Sequence, residues 1–181
     1  AQWGEGPIWW NNSLYYVDIE KHQVIRFTPS TGEETIWNVG QRVGTVVPRA
    51  QGGLLCAGDH GFFFLDETTG VVTPLADPEP EKTNNRFNDG KCDPQGRFWA
   101  GSLYEPKDQA LGVLYMLDGQ GLHAMQGGVK DGVVTANGLA WSPDGRTAYW
   151  ADTAAHQVRA FDFDAASGQL TNSRVFYQAA H

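Results

Sequence analysis

Two families of tight turn run through the chain in step, and they restrict its fold more than any other feature of the sequence. The first family falls at Asn11-Asn12, Gln51-Gly52, Pro94-Gln95-Gly96 and Pro143-Asp144-Gly145, with Gly52 to Gly96 spanning 44 residues and Gly96 to Gly145 spanning 49. The second falls at Thr31-Gly32, Thr69-Gly70, Asp118-Gly119 and Ser167-Gly168, at intervals of 38, 49 and 49. Two interleaved series with a period of about 45 residues describe one unit of about four strands repeated about four times, as propeller blades are. A β-sandwich gives no reason for two turn families to stay in register.

The segments between the turns agree. Helical 3.6-residue periodicity is hard to find, whereas short β-branched and aromatic runs recur, among them Leu14-Tyr15-Tyr16-Val17, Phe62-Phe63-Phe64-Leu65, Val113-Leu114-Tyr115-Met116-Leu117 and Thr147-Ala148-Tyr149-Trp150. Each has the length of a strand. The expectation is an all-β chain, a single β-propeller domain over residues 1–181. Trp9, Trp99, Trp141 and Trp150 recur at strand positions of different units and are expected to wedge into the core.

Charge and hydropathy narrow the function. With 13 basic and 21 acidic residues the net charge is −8, and no basic run interrupts that excess, so a nucleic-acid backbone is repelled. No stretch approaches the roughly 20 apolar residues that span a bilayer, and no leader-like segment opens the sequence, which reads as a cytoplasmic protein without a membrane partner. An uncharged or cationic small molecule suits the surface better, acting on a monomer or a weak homo-oligomer. Cys56 and Cys92 lie in apolar runs without a CxxC or Cys/His pattern and read as reduced core thiols.

In a propeller the first strand of each blade lines the central channel, so equivalent positions converge. Counting eight residues back from the first turn of each unit reaches Gly44, Asn88 and Asn137, and the same count from Ser13 reaches Glu5. A carboxylate and two carboxamides stand where packing alone favours apolar side chains. Oxygen donors without His or Cys suit a hard divalent cation, Ca²⁺ or Mg²⁺ with Mn²⁺ also admissible, rather than a structural zinc. The plainer reading makes Asn88-Asp89-Gly90 and Asn137-Gly138 simple turns; their shared register with Glu5 favours a site.

The residues that carry these positions resemble a known family. Gly4-Glu5-Gly6-Pro7-Ile8-Trp9, Leu14-Tyr15-Tyr16-Val17-Asp18-Ile19, the long block from Asn85-Arg86-Phe87-Asn88-Asp89-Gly90-Lys91-Cys92-Asp93 to Gly101, and Asn137-Gly138-Leu139-Ala140-Trp141-Ser142-Pro143-Asp144-Gly145 are similar to the SMP-30/gluconolactonase/luciferin-regenerating enzyme family, in order and over almost the whole chain. The resemblance implies a six-bladed propeller holding one divalent cation and hydrolysing sugar lactones, with Ca²⁺ as the first choice and Zn²⁺, Mg²⁺ or Mn²⁺ as alternatives. It implies Glu5 and Asn137 as metal ligands, Arg86 and Asn88 as residues that hold the substrate's oxygens, and Glu105, in a looser alignment, as a further substrate contact. A third metal ligand, an aspartate that also serves as general base, is expected in a fifth blade beyond residue 181. The chain is accordingly expected to cover about four of six blades and to be incomplete at its C-terminus.

Other constellations carry less. There is no Gly-x-Ser-x-Gly elbow, and the histidines form no triad pattern. His22 and His156 occupy analogous loops and read as surface residues. Asp162-Phe163-Asp164 before Gly168 has the look of a calcium loop but lacks its bidentate acid, and reads as a hairpin. Asp18 and Asp152 end second strands, where hydrogen-bonding roles are expected. Three other functional classes stay open: a calcium-binding regulatory propeller without turnover, a propeller esterase or organophosphate hydrolase, and a non-catalytic interaction platform.

Overall fold

The computed structural model describes residues 1–125 and 132–180. Among the described residues there are sixteen strands and no helix, so none is long and apolar enough to cross a membrane. The strands form four sheets. The first holds β1 (Gly4–Trp10), β2 (Ser13–Asp18), β3 (Gln23–Thr28) and β4 (Glu33–Asn38). The second holds β5 (Val43–Pro48), β6 (Leu54–Gly58), β7 (Gly61–Leu65) and β8 (Val72–Ala76). The third holds β9 (Asn85–Cys92), β10 (Phe98–Tyr104), β11 (Leu114–Asp118) and β12 (Gly121–Ala124). The fourth holds β13 (Ala136–Trp141), β14 (Thr147–Asp152), β15 (Gln157–Phe163) and β16 (Leu170–Gln178). In each sheet the spatial order is the chain order, an up-and-down four-stranded meander. The fold class is the all-β, propeller-blade one that the turn spacing anticipates.

The turn series explains the repeat at the level of dihedral angles. Gly52, Gly96 and Gly145 take φ of 88°, 83° and 67°, and their N–H groups donate to the carbonyls of Arg49, Asp93 and Ser142. Only glycine enters that left-handed region without steric cost, which is why glycine recurs there. Asn11 and Asn12 (φ 46° and 60°) do the same work in a two-residue hairpin between Trp10 and Ser13. In the second series Gly32, Gly70 and Gly168 donate to the carbonyls of Thr28, Asp66 and Asp164. The third sheet departs from this pattern: Asp118 pairs with Gly121 around a shorter turn, and the Asp118 carboxylate accepts the Gln120 and Gly121 N–H groups. Gly119 is therefore not the structural equivalent of the other three.

The chain divides into two compact units, Ala1–Phe87 and Asn88–His181. In the first unit Tyr15, Val17, Val24, Val46, Leu54, Cys56 and Phe63 form one core, with Tyr15 and Val17 coming from the inward face of the alternating β2. In the second, Trp99, Leu114, Ala136, Trp150 and Phe161 form another. Gly101 of β10 lets β13 approach, since a Cβ there would lie 2.4 Å from that of Ala136. Trp99 and Trp150 are buried as expected and Trp141 packs against the same core, but Trp9 is 59% exposed and belongs to no core in its unit. Both cysteines are free. Burial pushes the Cys56 thiol far up and that of Cys92, beside Asp93, up to about 11, so neither is a ready thiolate.

Candidate functional site

Glu5 and Asn137 are each the second residue of the first strand of a sheet, β1 and β13. Both sit beside a break in strand pairing. Glu5 faces Val17, after which the register slips before Ile8; Asn137 faces Ala151, after which it slips before Leu139. The glycines that follow, Gly6 and Gly138, take φ of 56° and 34°. Such bulges re-aim the neighbouring side chain out of the sheet's alternation. Gly44 occupies the comparable slip of β5, between Val43 and Thr45.

What holds these bulged entries in place is a repeated aspartate at the end of the second strand. Asp18 accepts the N–H groups of Gln2 (2.6 Å) and Trp3 (3.0 Å). Asp152 accepts those of Val134 and Thr135, both at 2.9 Å. Asp59 plays the part in the second sheet, where Arg42 gives it a backbone N–H at 3.0 Å and its guanidinium at 2.9 Å. Burial works to raise the pKa of Asp18, but the N–H groups of Gln2, Trp3 and Lys21 outweigh it and hold the carboxyl below its ordinary value. Asp18 and Asp152 therefore serve in hydrogen bonding, as the sequence reading favoured.

The side chains differ in setting. Glu5 is exposed, with one long contact from the Trp3 indole N–H to its Oε1 at 3.4 Å. Asn137 is half-buried and donates from Nδ2 to Thr153 Oγ1 at 2.9 Å. Arg86 is buried, 5% exposed, and commits one N–H to the Phe87 carbonyl at 3.1 Å. Asn88, two residues on along β9, is half-buried, and its Nδ2 donates to the carbonyl of Ala136 at 2.9 Å. That bond joins the Asn88 carboxamide to the backbone of the residue preceding Asn137, within the second unit. Glu105 is half-buried and lies just past β10, in a turn closed by the Lys107 N–H on the Tyr104 carbonyl. The antiparallel run of β9 and β10 places the end of β10 beside the beginning of β9.

Among the described residues no three His, Cys, Asp or Glu side chains cluster to hold a metal. Taken each in its own unit, the Glu5 carboxylate and the Asn137 amide oxygen are the hard oxygen donors that a cation such as Ca²⁺ takes. Two supports escaped the sequence reading. Thr153 follows a strand-ending aspartate and looks like an ordinary turn residue. Glu79, buried in the loop before β9, accepts Asn85 Nδ2 at 3.0 Å and Lys82 Nζ at 2.9 Å, anchoring the segment that leads into Arg86. His22 and His156 are turn residues at φ of 58° and 53° whose carbonyls accept Val39 and Ala179. Asp162 bonds Asn172 and Arg174 while Asp164 caps its own turn, so that segment is a hairpin.

Comparison with known proteins places this arrangement. Residues 3–181 match the family model described as SMP-30/Gluconolactonase/LRE-like region. Regucalcin of Danio rerio is 41% identical over 181 residues, 97% of this chain and 59% of its own length. The 6-deoxy-6-sulfogluconolactonase of Pseudomonas putida is 36% identical over 163 residues, 89% of this chain and 55% of its own. A crystal structure described as a calcium-binding protein, regucalcin, from Agrobacterium tumefaciens superposes with a TM-score of 0.87 at 25% identity, covering 96% of this chain and 59% of that one. The chain thus spans 55–59% of the length of these relatives. With repeat, bulged first strands and family model in agreement over the same residues, the chain belongs to the SMP-30/gluconolactonase/LRE-like family.

Proposed function

We propose that this chain supplies the cation-binding and lactone-holding residues of a divalent-metal-dependent hydrolase that opens sugar lactones. The observation that carries the reading is the placement of Glu5 and Asn137 beside the bulge of two equivalent first strands. The names of the relatives, among them a sulfogluconolactonase, support the substrate class. Glu5 and Asn137 would each supply an oxygen ligand to a divalent cation, Ca²⁺ first, which when bound would supply Lewis-acid polarisation of the lactone carbonyl. Arg86 presents donors in a planar fork to ring hydroxyl or carbonyl oxygens. Asn88, its amide fixed by the Ala136 carbonyl, orients the ring beside it. Glu105 accepts from a sugar hydroxyl. On the family pattern the attacking water gives its proton to an aspartate of a following blade.

The test is hydrolysis of an aldonolactone followed by acid release on the full-length protein. Activity should vanish with chelator and return with Ca²⁺. Glu5→Gln and Asn137→Ala should each lower kcat/KM by about 100-fold or more. Chelator-resistant turnover overturns the cation, and turnover of aryl esters or phosphotriesters but of no lactone overturns the substrate class. A second reading, Ca²⁺ binding without turnover, is favoured by the description of the Agrobacterium tumefaciens relative as a calcium-binding protein. Calorimetric Ca²⁺ binding by a protein inert toward every ester offered would establish it.

A further inference from the structure

We propose that the second sheet carries a binding site for a small organic carboxylate, built on Arg49 and Phe64 and separate from the lactone-holding residues. Arg49 follows β5 directly, and it lies at the opposite end of that strand from the bulge at Gly44, roughly 15 Å along at the usual rise per residue. Its guanidinium carbon stands 4.1 Å from the centre of the Phe64 ring, and Nη1 donates to the Gly52 carbonyl at 3.2 Å. Its other N–H groups have no partner among the described residues. An open cavity of about 450 Å³ adjoins them, lined also by Gln51, Asp66, Val71 and Thr73.

The repeat shows that the cavity is general and the cation is not. The third and fourth sheets place Asp93 and Ser142 where the second has Arg49, and each caps its own turn: the Asp93 carboxylate accepts the Gln95 and Arg97 N–H groups, and the Ser142 hydroxyl accepts that of Thr147. Arginine has no acceptor with which to do this. The second sheet forgoes that cap and gains a fork of donors in its place. The fourth sheet has a comparable cavity of about 360 Å³ beside Asp164 and Thr171, with Asp162 at the position of Phe64, and Asp162 is occupied by Asn172 and Arg174. Other arginines are neutralised where they stand, Arg42 by Asp59, Arg97 by Asp93 and Arg174 by Asp162. Among the described residues Arg49 has no such partner: Asp66, the carboxylate of its lining, accepts the Thr68 and Thr69 N–H groups instead. Gly53 keeps the site open, since a Cβ there would lie 3.8 Å from Arg49 Nη1 and 3.0 Å from the Leu65 carbonyl. A planar fork held on a ring, with donors on its open edge, matches a carboxylate through two parallel bonds. Val71 and Thr73 then offer an apolar and a hydroxyl contact to the body of the ligand.

The site makes no use of Glu5, Arg86, Asn88 or Asn137, so binding there is separable from lactone binding. On the full-length protein in chelator, titration calorimetry with gluconate or hexanoate should show saturable binding, and with uncharged sorbitol none. Arg49→Gln keeps a stem and a donor for the Gly52 carbonyl, and should weaken both carboxylates by about 10-fold or more, as loss of a charged hydrogen bond does. Arg49→Lys, a point charge without the fork, should fall between that variant and the parent. Phe64→Leu should weaken them about two- to fivefold through loss of the stacked support. Asn88→Ala should bind within about twofold of the parent protein. Thermal midpoints of Arg49→Gln and parent should agree, and so should their hydrolysis of lactone. No saturation by either carboxylate, equal binding of sorbitol, or unchanged affinity in Arg49→Gln overturns the proposal. Binding lost in Asn88→Ala and kept in Arg49→Gln overturns it too, and assigns the acid to the lactone-holding residues.

Discussion

Each unit joins its two sheets by a polar clasp at the same place in the repeat, yet the two clasps are built with opposite charge. In the first unit the β7–β8 turn contributes a carboxylate: Glu67 Oε1 accepts the Tyr15 hydroxyl at 3.0 Å and lies 3.7 Å from Arg26, while the Glu67 carbonyl accepts the Trp37 indole. In the second unit the corresponding β15–β16 turn contributes the carbonyls of Ala165 and Ala166 as acceptors, and the donor is the guanidinium of Arg97, just before β10, which also attracts the Asp164 carboxylate of the turn. Arg97 is in turn held by Asp93 at 2.6 Å, which also accepts the Trp99 indole. The settings differ as well. The side chains of Arg26 and Glu67 are 31% and 26% exposed, those of Arg97 and Asp93 only 11% and 0%. The repeat fixes where sheets must be joined and leaves open the chemistry that joins them.

If burial decides how much each clasp contributes, the largest effect belongs to Asp93→Ala. It strands the Arg97 charge and the Trp99 N–H among buried neighbours, and should cost about 3–5 kcal/mol in urea unfolding, as removal of one partner of a buried pair does. A cost under about 1 kcal/mol, the range of exposed pairs, would break the contrast.

The turns that carry the clasps sharpen it next. Gly70 and Gly168 share a left-handed conformation, φ 72° and 79°, so alanine at either should cost about 1–2 kcal/mol from the backbone alone. A Cβ on Gly70 would meet only the Trp37 ring at 3.6 Å, whereas on Gly168 it would lie 2.6 Å from Met116 Sδ and 3.1 Å from the guanidinium of Arg97. Gly168→Ala should therefore cost about 1 kcal/mol more than Gly70→Ala, because it dislodges a clasped arginine. Equal unfolding midpoints for the two variants would show that Arg97 gives way freely.

Glu67→Gln should come lower. The amide oxygen can still accept from Tyr15, and only a partly solvated attraction to Arg26 is lost, about 1 kcal/mol or less. A loss comparable to that of Asp93→Ala would mean that exposure is the wrong measure.

This difference marks what the sequence makes legible. Turn glycines announce themselves, because few other residues tolerate their dihedral angles, and they date the strands between them; the four meanders follow. The short turn at Asp118 escapes that logic, since an Asp-Gly pair looks the same whether it closes two residues or four. Glu5, Asn88 and Asn137 stand out as polar residues at a repeated position that packing leaves unexplained. Thr153 does not, because its partner Asn137 lies sixteen residues away, and Glu79 does not, because a glutamate in a proline-containing loop is ordinary composition even with its partners Lys82 and Asn85 close by in sequence. Trp9 misleads for the opposite reason: strand alternation tells that a residue has a face, and only the neighbouring sheet decides whether that face is covered.

The smallest effect is reserved for alkaline pH, where the phenol of the first clasp titrates. Burial, and then the bond to Glu67, raise the Tyr15 hydroxyl above its ordinary value; burial and Glu34 do the same for Tyr16. Both belong to the first unit. A tyrosine whose folded pKa exceeds the unfolded value near 10 contributes stability that is whole below pH 10 and drains away as pH climbs through the folded value, because the unfolded chain then releases the proton more readily. In the second unit the Cys92 thiol, raised to about 11 by burial and by the neighbouring Asp93, titrates in the same window. Urea midpoints should accordingly fall between pH 9 and 11; Tyr15→Phe, which costs about 1 kcal/mol at neutral pH, should flatten part of that fall, and Asp93→Ala, which removes the lesser of the two influences on Cys92, should flatten a smaller part. An alkaline slope untouched by Tyr15→Phe would place the titrating group elsewhere and remove Tyr15 from the first clasp.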